Sequence, residues 1–157
     1  MLDEVQAQAL CEARVDATAM HRLARFGELL VEENTRQNLV SGPSLERVWE
    51  RHFADSLQLL DHVPHLSGTW LDLGTGAGFP GLVIAIARPD LEVVLVESRK
   101  KRVDWLERVI AELELPLCRV AGAKLELVPT IPALQISARA FAPLQKLLRL
   151  SARFSTP

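Results

Sequence analysis

The sequence predicts an α/β fold, a parallel Rossmann-like sheet preceded by a helical arm, and three observations carry that prediction. Short apolar runs at Thr69–Leu73, Leu91–Val96, Leu117–Ala121 and Ala133–Ser137 alternate with helical stretches, the rhythm of βαβ units. The first run ends in a loop with glycine at every second position. Everything before residue 66 reads as helix and turn, so residues 1–66 form the arm and residues 67–157 the partial sheet domain. A chain of 157 residues has room for one domain, or one with a small appendage.

Composition excludes several classes. Hydrophobic residues make up 48%, which suits a packed α/β protein, and no apolar run reaches the roughly 18 residues of a membrane span. Met1 to Arg14 mixes acids with apolar residues and lacks the pattern of a secretory signal. A cytoplasmic protein with no membrane contact is expected. The formal net charge of −2 argues against a general nucleic-acid coat, so any RNA binding must come from a local patch. Cys11 and Cys118 lie far apart without metal-ligand spacing, and no metal is expected.

In the arm, Leu2 to Arg14 is weakly helical, and Asp16 or Thr18 caps a second helix running to about Glu33 with Met20, Leu23, Phe26 or Gly27, Leu30 and Val31 on one face. Asn34 to Pro43 is turn-rich. Ser44 then caps a third helix through Leu60, with Leu45, Val48, Trp49, Phe53, Leu57 and Leu60 as its apolar stripe. Arg51, His52, Asp55 and Ser56 are its polar cluster, in which His52 and Asp55 are spaced to pair as helix neighbours. Asp61 to Gly68 is a linker.

Asp72-Leu73-Gly74-Thr75-Gly76-Ala77-Gly78-Phe79-Pro80-Gly81 reads as a ligand loop. Gly76, Gly78 and Gly81 satisfy the dinucleotide fingerprint. Asp72, Gly74, Gly76 and Gly78 satisfy the acid-x-G-x-G-x-G pattern of S-adenosylmethionine methyltransferases. Asp72 tilts the choice to the latter, because a carboxylate suits the cationic amino-acid end of that cofactor and repels a pyrophosphate. The structural alternative is that Asp72 hydrogen-bonds the turn N–H groups. A buried helix from Leu82 to Ala87 follows. The second strand ends in Glu97, about twenty residues after the loop, where both cofactor families place an acid on the ribose hydroxyls; the structural alternative is a salt bridge to Arg99, Lys100 or Arg102.

Arg99, Lys100, Lys101 and Arg102 open the next helix, whose stripe is Val103, Leu106, Ile110 and Leu113. Cations at a helix N-terminus oppose its dipole, so either a use for them, such as RNA phosphates, or plain solvated charge paired with Asp104 and Glu107 accounts for them. Pro116 ends this helix. After the third strand, Gly122 turns the chain into a brief helical stretch with Lys124 and Glu126, and after the fourth, Arg139 lies at a strand C-terminus, where open α/β sheets bind ligands. Pro143 to Phe154 reads as helix.

Taken together, Asn38-Leu39-Val40, Arg51-His52 with Asp55-Ser56, the block Leu71 to Gly81, Glu97-Ser98 with Lys101-Arg102, and Ser137 to Ala142 resemble the bacterial ribosomal small-subunit methyltransferase G family, formerly glucose-inhibited division protein B. That resemblance implies a SAM-dependent methyltransferase fold acting on N7 of a guanine in 16S ribosomal RNA, free or in the small-subunit particle, with no obligate protein partner. It implies cofactor contacts around Asp72, Gly74, Thr75, Gly76, Gly78 and Phe79, from Glu97 and Ser98, and from Ala123, Lys124, Leu125 and Glu126. Arg139 is implied near the transferred methyl group and the target base, in a positioning role. His52, Asp55 and Ser56 are implied at the cofactor mouth, and Arg99, Lys100, Lys101 and Arg102 along the RNA-facing edge.

Two departures stand out. Family members usually carry an acid-apolar pair entering the fourth strand, where this chain has Leu134-Gln135. They also continue to a seven-stranded sheet, so the four strands here read as a C-terminally truncated form with the fourth strand as an uncovered edge. Guanine N7 carries a lone pair and no proton, so its methylation needs no general base. The competing readings are a nicotinamide-dependent oxidoreductase using Gly76, Gly78 and Gly81, and an inactive fragment that binds cofactor or RNA.

Overall fold

The computed structural model describes residues 1–63, 67–139 and 141–156. The proposed boundary between arm and sheet, at residue 66, lies outside the described residues. Four strands, β1 (Trp70–Leu73), β2 (Val93–Val96), β3 (Cys118–Ala121) and β4 (Gln135–Ala138), form one sheet in the order β3-β2-β1-β4. All neighbouring pairs are parallel, as the α/β alternation predicts. The apolar character of β1 and β2 follows from their place: both are buried along their whole length, as central parallel strands must be.

The two faces are covered differently. Under Trp70, Val93 and Leu95 lie the helices α5 (Gly81–Ala87) and α6 (Lys100–Glu112), together with the arm helix α2 (Ala17–Glu33). Under Leu71, Leu73, Val94 and Val96 lie Leu125, Val128, Phe154 and the helix α7 (Leu144–Ser151). Leu23, Phe26, Leu30, Phe53 and Leu57 of the arm share one core with Leu82, Val83 and Ile86 of α5. No helix among the described residues is long and apolar enough to cross a membrane.

The arm opens with α1 (Glu4–Glu12), capped reciprocally by Asp3 and Gln6, and Asp16 caps α2 through the Ala19 N–H. Val31, expected on the inner face of α2, is 53% exposed, and Leu29 is buried in its place. The third arm helix also departs from expectation. Ser41, not Ser44, caps a single helical turn, α3 (Gly42–Leu45). A wide π-turn at Trp49–Ala54, the turn α4 (Asp55–Leu57) and a tight turn at Gln58–His62 then replace one continuous helix. The reason is long-range: the Glu4 carboxylate accepts from the backbone N–H groups of Trp49 at 3.0 Å and Glu50 at 2.9 Å, capping a new helical start that no local residue announces.

Strand β4 begins two residues later than Ala133, because Ala133 pairs its backbone with Phe154 and Thr156. The helix expected over Pro143–Phe154 ends at Ser151 and tightens over Ala152–Phe154. Strand β4 is an edge and only half-buried, as its final position in the sheet order requires.

Candidate active site at the strand ends

The glycine loop is built around a buried carboxylate. Asp72 is 0% exposed. Its Oδ2 accepts from the Thr75 hydroxyl at 2.5 Å and the Gly81 N–H at 2.8 Å, and its Oδ1 accepts from the Ser137 hydroxyl at 2.8 Å. Ser137 in turn accepts from the indole N–H of Trp70 at 2.8 Å. Register explains the pairing, because Asp72 and Ser137 are direct neighbours on β1 and β4. Burial pushes the Asp72 carboxyl up to about 6, against the pull of these hydrogen bonds. The Asp72 oxygens are turned inward and shape the loop, the arrangement of the structural alternative. The first N–H of α5, that of Gly81, is consumed in the same way.

Three other residues of the loop are also held by contacts within the protein. Thr75 is 3% exposed, with its hydroxyl on Asp72 and its N–H on the Val96 carbonyl. Phe79 is 5% exposed and stacks against Phe26 and His52 in the core. Gly78 has φ +111°, and a Cβ there would sit 2.3 Å from Leu82 Cδ1, so this glycine permits the loop to fold onto α5.

Gly76 is different. Its φ is +60°, yet a Cβ would meet no protein atom closer than Arg102 Nη1 at 3.9 Å, so the space above it is open for a ligand. Its N–H donates to Glu97 Oε2 at 3.0 Å, while Glu97 Oε1 accepts from the N–H groups of Ser98 and Arg99 at 3.1 Å each. Glu97 thus ties the end of β2 to the loop, and a carboxylate offers about four acceptor positions, leaving Oε2 with capacity for one more donor.

A cavity of about 280 Å³ at the strand C-termini brings together Gly74, Glu97, Ser98, Ala123, Lys124, Leu125 and Glu126, with Arg99 and Arg102 at its border. Phe141 completes it, its ring packed so closely on Gly74 that a Cβ there would lie 2.4 Å from Phe141 Cδ2. Sequence reasoning did not single out Phe141, although the residue lies in the quoted block from Ser137 to Ala142. Ser137 was missed likewise. A lone hydroxyl in an apolar strand, in register with an acid, was its signal.

Arg139, His52, Asp55 and Ser56 lie elsewhere. Arg139 and Asp55 line two further cavities, of about 600 Å³ and about 650 Å³, and Arg139 Nη1 stands 3.7 Å from Asp55 Oδ2. His52 faces Ser44 rather than Asp55: its Nε2 is 3.1 Å from Ser44 Oγ, whose proton goes to the Ser41 carbonyl. That arrangement makes Nε2 the donor and leaves Nδ1 a buried, unpartnered acceptor. Burial first, then the nearby Arg139 charge, depress its pKa to about 4, so His52 is neutral at pH 7. Ser56 is 2% exposed with its hydroxyl unpartnered.

The cationic stretch occupies an edge. Arg99, Lys100, Lys101 and Arg102 line a cavity of about 350 Å³ with Gln37 and Asn38. The Gln37 amide donates to the Lys101 carbonyl at 3.1 Å, joining the arm to α6. Lys100 pairs with Asp104. Arg99 and Arg102 also border the 280 Å³ cavity, so the cationic edge is continuous with it.

Residues 19–157 match the family model described as rRNA small subunit methyltransferase G. The chain is 59% identical over 153 residues to ribosomal RNA small subunit methyltransferase G of Erythrobacter litoralis, covering 98% of this chain and 74% of that protein. It is 52% identical over 162 residues to the enzyme of the same name from Novosphingobium aromaticivorans, covering 100% of this chain and 70% of that one. Among solved structures, coclaurine N-methyltransferase bound to N-methylheliamine and SAH aligns at TM-score 0.63 and 15% identity, over 98% of this chain and 54% of that one. Geranyl diphosphate C-methyltransferase from Streptomyces coelicolor A3(2) aligns at TM-score 0.61 and 14% identity, over 91% and 63%. These two likenesses concern the fold.

Proposed function

The chain belongs to the rRNA small subunit methyltransferase G family, and from that premise we propose that it is a SAM-dependent methyltransferase acting on N7 of a guanine in small-subunit ribosomal RNA. The observation that carries the reading is the cavity at the strand C-termini, where Gly74, Glu97 and Ser98 from β1 and β2 meet Ala123 to Glu126 beyond β3. Open α/β sheets bind ligands at this position. The open space over Gly76 and the spare acceptor on Glu97 fit a nucleoside with its ribose at Glu97 and Ser98 and its base toward Ala123 to Glu126.

When bound, S-adenosylmethionine supplies a sulfonium methyl group that a nucleophile with a free lone pair takes directly. The residues of this chain act by placement. Asp72 and Ser137 fix the loop, and Glu97 fixes the loop relative to β2. Guanine N7 has no proton to lose, so no general base is required, and a neutral, buried His52 serves as packing. Positioning of this kind is worth about 7–11 kcal/mol. The edge from Arg99 to Arg102, bordering the same cavity, supports RNA phosphates as the charges those cations meet.

Incubation with small-subunit RNA and methyl-deuterated S-adenosylmethionine, followed by nucleoside mass spectrometry, tests the reading. Labelled 7-methylguanosine is expected. Label on another atom, or none in the RNA, overturns it.

A further inference from the structure

We infer that Asp55 and Arg139 form a guanine-reading pair where the arm meets the end of β4, with Asp55 accepting from N1–H and the N2 amino group and Arg139 donating to O6. The inference rests on the guanine reading above and assigns the recognition to residues. Arg139 Nη1 is 3.7 Å from Asp55 Oδ2, too far for a hydrogen bond. The other oxygen, Oδ1, accepts from the Gln58 amide at 3.0 Å. Both side chains are 48% exposed, and both face the cavities on either side of them. The two charges are therefore aligned without being clamped, and they front a space large enough for a purine.

The match is in the order of donors and acceptors. The Watson–Crick edge of guanine runs N2 amino, N1–H, O6, which is donor, donor, acceptor in unbroken sequence. A carboxylate beside a guanidinium presents acceptor, acceptor, donor. No other RNA base has two adjacent donors, and adenine would set its N1 lone pair against the carboxylate. N7 lies on the far side of O6 and stays open. The pair also resolves an electrostatic conflict. A lone Arg139 would oppose positive charge building on the purine, whereas Asp55 makes the pair neutral. As that charge builds, N1–H becomes a stronger donor, so its bond to Asp55 tightens when it is most useful. His52, stacked on Phe79 with ring centroids 4.6 Å apart, is a fixed wall of the same cavity.

The test titrates the protein, saturated with S-adenosylhomocysteine, with guanosine, inosine and adenosine 5′-monophosphates, followed by ligand-observed NMR. Inosine lacks only the N2 amino group. Guanosine monophosphate is expected to bind about tenfold more tightly than inosine monophosphate, the effect of one charge-assisted hydrogen bond. Asp55→Ala erases that preference. Arg139→Ala keeps it but reduces the preference of inosine over adenosine monophosphate, because only O6 is read by Arg139. Calorimetric binding of S-adenosylhomocysteine checks that each variant is folded, and Asp55→Asn, of unchanged shape, replaces the alanine variant should that one fail to fold. Equal affinities in the wild type, no binding of any nucleotide, or a preference that survives loss of the Asp55 carboxylate overturns the inference. The functional reading fails separately: nucleotide preference without methyl transfer to RNA N7 sinks that reading alone, and transfer without Asp55-dependent preference sinks this inference alone.

Discussion

Two buried titratable residues, Asp72 and His52, pull the stability of this protein in opposite directions as pH changes. His52 carries a folded-state pKa depressed from 6.5 to about 4, so its contribution is present above pH 6.5 and is lost as pH falls from 6.5 towards 4. Asp72 is raised from 3.8 to about 6, so its contribution is present below pH 3.8 and is lost as pH rises through about 6. Urea unfolding of wild type and His52→Phe across this range isolates the histidine. Wild type is expected to lose stability relative to the variant on acidification from pH 6.5 to 4, by on the order of 3 kcal/mol; parallel curves contradict the burial argument. The sequence made both residues conspicuous but did not reveal which way they faced. An acid two positions before a glycine is compatible with a ligand contact or a loop anchor, and the register that sets Ser137 beside Asp72, which supplies the anchor, is not visible in the sequence.

At the level of elements, α6 carries a conflict that was legible in advance. Its N-terminus has no side-chain cap and begins with a run of cations, which the helix dipole disfavours. Lys101 is exposed on this edge, beside Arg99 and Arg102. Lys101→Ala is expected to lower RNA affinity uniformly across sequences and to reduce the slope of log affinity against log salt by about 1, with stability unchanged or higher by a few tenths of a kcal/mol. An unchanged salt slope would remove Lys101 from the RNA edge. Other elements were less legible. The apolar stripe from Leu45 to Leu60 was read correctly as core-facing, with Phe53 and Leu57 fully buried, but not its division into separate turns. Periodicity reports which side faces the core, whereas the break comes from Glu4, some forty-five positions away in sequence. The strand runs were found for the same reason that they are buried, and the start of β4 was misplaced because Ala133 pairs with the chain's own last residues.

For the molecule as a whole, the arm and the sheet share a core, and what they enclose divides by role. The strand ends of β1 and β2 present the cavity of about 280 Å³, the arm and the end of β4 present Asp55 and Arg139, and the N-terminus of α6 borders both that cavity and the cationic edge. In the proposed function the glycine loop cradles the methyl donor rather than a dinucleotide. Calorimetric titration with S-adenosylhomocysteine, run against NADH and repeated on Gly76→Val, tests it most directly. Valine would be strained at φ +60° and would fill the open space above the loop. Saturable binding of S-adenosylhomocysteine to wild type, none of NADH, and a loss of binding of at least about tenfold in a folded Gly76→Val protein are predicted. Binding of NADH instead, or undiminished binding by Gly76→Val, would contradict the account.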